Sequence, residues 1–130
     1  MKILYSGERI KTTTRDGWIT GITMLILLMA SMGSQETLET LHKLTLAALS
    51  REHDVIIFFN GDSTKLLKDT TAKDEVRELG SRGVRLLACR TSAQEMELTL
   101  EEDLMEGAEM SGLGELVELM GEAGRVLFLG

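Results

Sequence analysis

One thiol stands among the residues that could do chemistry. Cys89 is the only cysteine in the chain. It closes the short apolar run Val84-Arg85-Leu86-Leu87-Ala88-Cys89, which Gly83 bounds on its amino side. A run this short and apolar reads as a buried strand of a parallel sheet. Helix-start chemistry follows it. Ser92 with Glu95 has capping-box spacing, and Thr91 with Gln94 repeats it. Cys89 is therefore expected where a strand hands over to a helix. In open α/β sheets, ligands bind at that edge. A sulfur there would face free amides and the positive end of a helix dipole, with Arg90 alongside. Each favours the thiolate, the nucleophilic form of the thiol. The plain alternative is an inert, buried cysteine acting as a small hydrophobe.

Other polar residues are expected near the same edge. The apolar run 55–59 ends at Asn60-Gly61-Asp62-Ser63 with Lys65 close behind. Asn60, Asp62, Arg90 and Ser92 are the candidate pocket-lining residues. For each, turn or capping chemistry is the competing role. His42 and His53 have no cysteine, carboxylate or second histidine at metal-site spacing, so no metal centre and no cofactor are expected. His42 reads as a partly buried helix residue and His53 as a turn residue. A flavodoxin-type nucleotide site would lie at residues 31–34, before a helix start. Only Gly33 stands there, without a G-x-G-x-x-G pattern. Serine-hydrolase chemistry lacks its G-x-S-x-G elbow.

The elements that must position these residues follow from periodicity. Residues 22–30 are nearly continuous apolar and read as the first core strand. Ser34 is the expected N-cap of a helix to about residue 51, with Leu38, Leu41, Thr45, Ala48 and Leu49 on its inner face. A second strand spans residues 54–60. Asp62 or Ser63 is expected to cap a short helix, and Thr71 the next one. The Cys89 strand comes third. Thr99 with Glu102 repeats capping-box spacing, and Gly107 breaks that turn. Leu113, Leu116, Val117 and Met120 form the stripe of a last helix. Residues 125–129 read as a last buried strand. This alternation predicts right-handed crossovers and a mainly parallel sheet with helices on both faces, a three-layer α/β/α fold.

Residues 1–21 read as an N-terminal extension. Asp16-Gly17 between strand-like residues is a hairpin signal, so a β-arm is expected ahead of an α/β domain over residues 22–130. Residues 18–30 have the outline of a signal peptide. The charged and polar residues before them and the shortness of the run favour a long buried strand.

At 130 residues and 43% apolar content the chain can bury one real core. Its formal charge of −7 argues against nucleic-acid binding through phosphate neutralisation. No membrane association is expected. A lone cysteine fits a reducing, cytoplasmic compartment.

Four stretches make the sequence similar to the DsrE/DsrF-like family of small sulfur-relay proteins. They are Phe58-Phe59-Asn60-Gly61-Asp62 with Lys65-Leu66-Leu67, Gly83 to Cys89 with Thr91-Ser92-Ala93, the acidic turn Glu102 to Gly107, and residues 113–129. The match runs over about residues 23–130. The resemblance implies a homotrimer or homohexamer. It also implies sulfur held as a persulfide on the cysteine at the position of Cys89. With no second cysteine, turnover would need a donor or acceptor protein or a small thiol. A non-catalytic oligomeric binding protein with an inert Cys89 is the alternative.

Overall fold

The computed structural model describes residues 9–12 and 19–130, with side chains from residue 23 onward. Two strands, β1 (Arg9–Thr12) and β2 (Ile19–Thr23), pair antiparallel, Arg9 opposite Thr23 and Ile10 opposite Ile22. The expected Asp16-Gly17 turn lies outside the described residues.

The main chain then builds β3 (Leu25–Ala30), α1 (Gln35–Ser50), β4 (Asp54–Phe59), a 3₁₀ segment (Gly61–Leu67), α2 (Asp74–Ser81), β5 (Arg85–Cys89), α3 (Arg90–Glu95), β6 (Ala108–Ser111), α4 (Leu113–Glu122) and β7 (Arg125–Leu129). Five strands form one parallel sheet in the order β6-β5-β4-β3-β7. Among the described residues no helix is long and apolar enough to cross a membrane.

The expected first strand over residues 22–30 is two strands. The break falls at Met24. Its amide donates to His53 Nδ1 at 3.1 Å, and its carbonyl accepts the Asp54 amide at 3.0 Å. His53 is thus a turn residue that pins the entry to the sheet.

Strand alternation divides the core. Leu28, Ala30, Val55, Ile57, Phe59, Leu86 and Ala88 face α1 and α2 with Leu38, Leu41, Val76 and Leu79. Leu27, Met29, Ile56, Phe58, Leu87 and Cys89 face the other way, under Leu116 and Leu119 of α4. Both faces are covered, which is why the central strands read as unbroken apolar runs. Burying one such side chain fully is worth roughly 1.5–3 kcal/mol. Ser34 caps α1 as expected, its Oγ accepting the Thr37 amide at 3.1 Å. His42 bridges α1 to α2, with Nε2 2.8 Å from Glu78 Oε1.

Several expectations need correction. Residue Lys73, not Thr71, precedes α2, and it makes no side-chain cap bond. The fifth strand, β6, was not expected; Ala108-Glu109-Met110-Ser111 holds no β-branched or aromatic residue. The strand β7 lies at a sheet edge rather than buried, and its Phe128 is 68% exposed. On α4 the inner stripe is Leu116 and Leu119, whereas Leu113 (61%) and Val117 (68%) face solvent, with Met120 also exposed.

Candidate functional site

The sequence places Cys89 at the last position of β5, and the structure agrees. It is also the N-cap position of α3, which begins at once with Arg90. Here the expected geometry changes. The Cys89 side chain makes no cap hydrogen bond to α3. Parity with Leu87 turns it onto the α4 face, into the cluster of Leu27, Met29, Ile56, Phe58, Leu116 and Leu119. Only 5% of the residue is exposed. The sulfur therefore lies against hydrocarbon rather than against the amides of α3.

The strand registers put more beside it. Ala30 pairs with Phe59, Phe59 with Ala88, and Cys89 with Ser111. The next row along the carboxyl rim is therefore Ser31, Asn60, Cys89 and Ser111. Alternation places these four on the α4 side of the sheet. Ser31 Oγ donates to Asn60 Oδ1 at 3.0 Å. At the other end, Ser111 Oγ is buried and donates to Glu115 Oε1 at 2.6 Å. A row of three polar side chains thus flanks the thiol at the rim, above an apolar floor. Nothing in Met110-Ser111-Gly112 marked this serine at the level of sequence.

A charged cluster adjoins Ser111. Arg85 clamps Glu109 with two hydrogen bonds of 2.9 and 3.1 Å and reaches Glu115 at 3.5 Å. The guanidinium holds the Glu109 carboxyl below its usual range, and Glu109 in turn raises Arg85. The two directions agree, as a close ion pair requires.

The other expected pocket residues divide. Asn60 stands in the row with Cys89. Ser92 is buried, and its Oγ accepts the Gly61 amide at 2.8 Å. It ties α3 to the 3₁₀ segment instead of closing a capping box. Asp62 is exposed and paired to Lys65 Nζ at 2.9 Å. That ammonium, with a smaller pull from the Gly33 amide, lowers the Asp62 carboxyl from its usual range. Gly33 permits the approach: a Cβ there would sit 2.6 Å from Lys65 Cε and 2.8 Å from the Asp62 carbonyl. Asp62 thus belongs to the contact between the 31–34 turn and the 3₁₀ segment. Ser63 is sealed in that contact too, donating to Ala30 O at 2.6 Å and Asn60 O at 2.8 Å. Arg90 is exposed, and its Nη1 would lie 3.0 Å from a Cβ on Gly112.

The acidic turn caps itself in an unexpected way. Thr99 Oγ1 accepts the Glu102 amide, but Asp103, not Glu102, accepts the Thr99 amide at 2.8 Å. Among the described residues no three His, Cys, Asp or Glu side chains could hold a metal ion.

Comparison with known proteins bears on this geometry. No curated protein matches the chain. Solved structures do. MTH1491 of Methanobacterium thermoautotrophicum, described as a protein of unknown function, is 18% identical with a TM-score of 0.72. The match covers 80% of this chain and 97% of that one. The ychN protein of E. coli is 17% identical with a TM-score of 0.71, over 82% of this chain and 99% of that one. At such identity these likenesses speak for the fold alone. The family model of the DsrE/DsrF-like family matches residues 23–129, nearly the whole of the parallel sheet and its helices, and the chain belongs to that family.

Proposed function

We propose that this protein carries sulfur, holding sulfane sulfur as a persulfide on Cys89 and passing it to a partner thiol. Family membership supports a sulfur-relay role. The observation that carries the reading is the position of the only cysteine. It ends β5 at the carboxyl rim, between Asn60 and Ser111 in one row. In the step proposed, the Cys89 thiolate attacks the outer sulfur of a donor persulfide. A new S–S bond forms to Cys89, the donor's S–S bond breaks, and the donor leaves as a thiol. No net oxidation occurs, so the step needs no further oxidant. The apolar floor of Leu27, Met29, Phe58 and Leu116 suits a soft, polarisable sulfur and keeps water from it. Both faces of the sheet are covered, so the donor's approach is along the rim.

A second reading has its own observation. Cys89 is buried in hydrocarbon and unbonded to α3, the setting of an inert structural thiol. The protein would then be an oligomeric binding module of the same fold. Assembly as a homotrimer or homohexamer is part of both readings. The solvent-facing stripe Leu113, Val117 and Met120 and the edge residues Leu127 and Phe128 support it. The single cysteine also suits a reducing, cytoplasmic setting.

Persulfide trapping after exposure to a sulfane-sulfur donor separates the two. Added sulfur mapped by mass spectrometry to Cys89 supports the carrier. An unmodified Cys89, with an alkylation rate no faster than that of a simple thiol, supports the binding module.

A further inference from the structure

We propose that two copies of this chain join edge to edge at β7. The strands run antiparallel about a two-fold axis at Leu127, and Arg125 of each copy pairs with the partner's Glu36. The proposal rests on the assembly reading above and names the surface through which it happens.

The backbone of β7 sets the geometry. This strand ends the sheet, and its outer edge has no strand partner among the described residues. The Gly124 amide donates to Leu25 O at 2.8 Å, and Gly130 O accepts the Ser31 and Met32 amides at 2.8 and 3.0 Å. Backbone groups alternate in direction along a strand. Those of Gly124, Val126, Phe128 and Gly130 therefore face β3, and those of Arg125, Leu127 and Leu129 face outward. The two edges of the sheet differ in how they resist strand addition. β6 is short and carries Glu109, clamped by Arg85. β7 has a charge only at its first residue, followed by Val126-Leu127-Phe128-Leu129, with Leu127 and Phe128 exposed.

The apolar stripe of α4 lies toward the same edge. Glu115 reaches Ser111 and Arg85, so its flank of α4 looks toward β5 and β6. Leu116 and Leu119 point down into the sheet. By helical periodicity Leu113, Val117 and Met120 then occupy the opposite flank, on the side of β7. Val126 and Phe128 register with Leu27 and Met29 and so share the α4 face. One apolar surface therefore runs from the flank of α4 over the outer edge of β7.

An antiparallel pair centred on Leu127 satisfies this edge. The outward amide and carbonyl of Leu127 bond those of the partner's Leu127, and Arg125 stands opposite the partner's Leu129. Val126 meets the partner's Phe128 on the α4 face. Charge completes the match on the other face. Arg125, Leu127 and Leu129 register with Ile26, Leu28 and Ala30, which face α1. On that side a cavity of about 340 Å³ is lined in part by Glu36 and Thr40 of α1 and Leu129 of β7. Arg125 donates only to the neighbouring Gly124 O, and neither Arg125 nor Glu36 has an ion pair among the described residues. The two-fold sets each Arg125 beside the partner's Leu129, at the cavity that holds the partner's Glu36. The edge is thus complementary to itself in hydrogen bonds, apolar surface and charge, which commits it to a second copy. A two-fold contact has no place in a homotrimer, so it selects the homohexamer of the two assemblies.

The test uses the full chain carrying Cys89→Ser as parent, so that an introduced cysteine has no competitor. Under mild oxidation Leu127→Cys should form a disulfide-linked dimer, because register partners in an antiparallel pair hold their Cα atoms about 5.5 Å apart. Arg125→Cys should stay unlinked, its two copies lying about 13 Å apart along the strands. Sedimentation then reads the ion pair, with the fold checked by circular dichroism. Arg125→Glu and Glu36→Arg should each weaken the two-fold contact about tenfold, since two symmetry-related pairs become repulsive. The double variant should recover the contact. If the parent assembles but Leu127→Cys stays unlinked, or Arg125→Cys links as readily, the β7 contact is overturned and assembly stands. A double variant that associates no more tightly than either single one also overturns the proposal. A monomeric parent overturns the contact and the assembly reading together.

Discussion

Cys89 and Ser111 are register partners at the carboxyl ends of β5 and β6, both buried and both on the α4 side of the sheet. This pairing joins the apolar floor beneath the thiol to the polar group Ser111, Glu115 and Arg85. It also places the sulfur away from α3, so the surroundings of Cys89 are set by strand parity more than by the helix that follows it.

The Ser92 hydroxyl fixes the rim. It is the acceptor for the Gly61 amide, and Gly61 has a positive φ of 54° that a non-glycine residue adopts only with strain. Ser92→Ala leaves that amide without its acceptor. A loss of roughly 1–2 kcal/mol is expected in denaturant unfolding. Hydrogen exchange should also quicken at Gly61.

The Arg85–Glu109 clamp makes the β5–β6 pairing depend on pH. The folded protein lowers the Glu109 carboxyl, so its contribution is complete at neutral pH and is lost as pH falls through the lowered value. Glu109→Gln is expected to be less stable than wild type at pH 7. The gap should close as pH falls through that lowered value and the carboxyl protonates. A gap that stays constant across the titration would contradict the pair. Both groups are partly exposed, so the effect is small.

Thr45 is fully buried, and among the described residues its Oγ1 has no hydrogen-bond partner. Thr45→Val keeps the shape and removes the orphaned hydroxyl. Stability should rise by roughly 1 kcal/mol, read from the unfolding midpoint.

The exposed stripe on α4 and the edge strand β7 bear on assembly. Val117→Glu and Phe128→Asp each place a charge where an apolar partner surface is proposed. Light scattering should show a smaller particle for each variant than for wild type, with the fold retained by circular dichroism. A monomeric wild-type protein would remove the proposal that it assembles.

Much of this architecture is legible in the chain itself. Unbroken apolar runs locate β4, β5 and the core of β3, because parallel strands covered on both faces need no polar side. The placement of Cys89 at a strand end follows directly from its run. Three things do not follow. The strand β6 is four residues of weak β propensity, and its pairing with β5 defines it. The partner of Ser92 is 31 residues away in sequence, so local spacing suggested a cap where the fold uses a cross-link. The helix α4 carries apolar residues on two sides, and only the fold decides that Leu116 and Leu119 turn inward while Val117 does not. Because Ser111 is brought beside Cys89 only by β6, that half of the site was hidden along with the strand.

The central claim is that Cys89 accepts sulfur in the folded protein, and intact-mass spectrometry tests it most directly. Native protein given a sulfane-sulfur donor should gain the mass of one sulfur atom, lose it again to an added acceptor thiol, and gain nothing as Cys89→Ser. Wild-type protein whose mass stays unchanged, or a Cys89→Ser variant that loads equally well, would contradict the carrier.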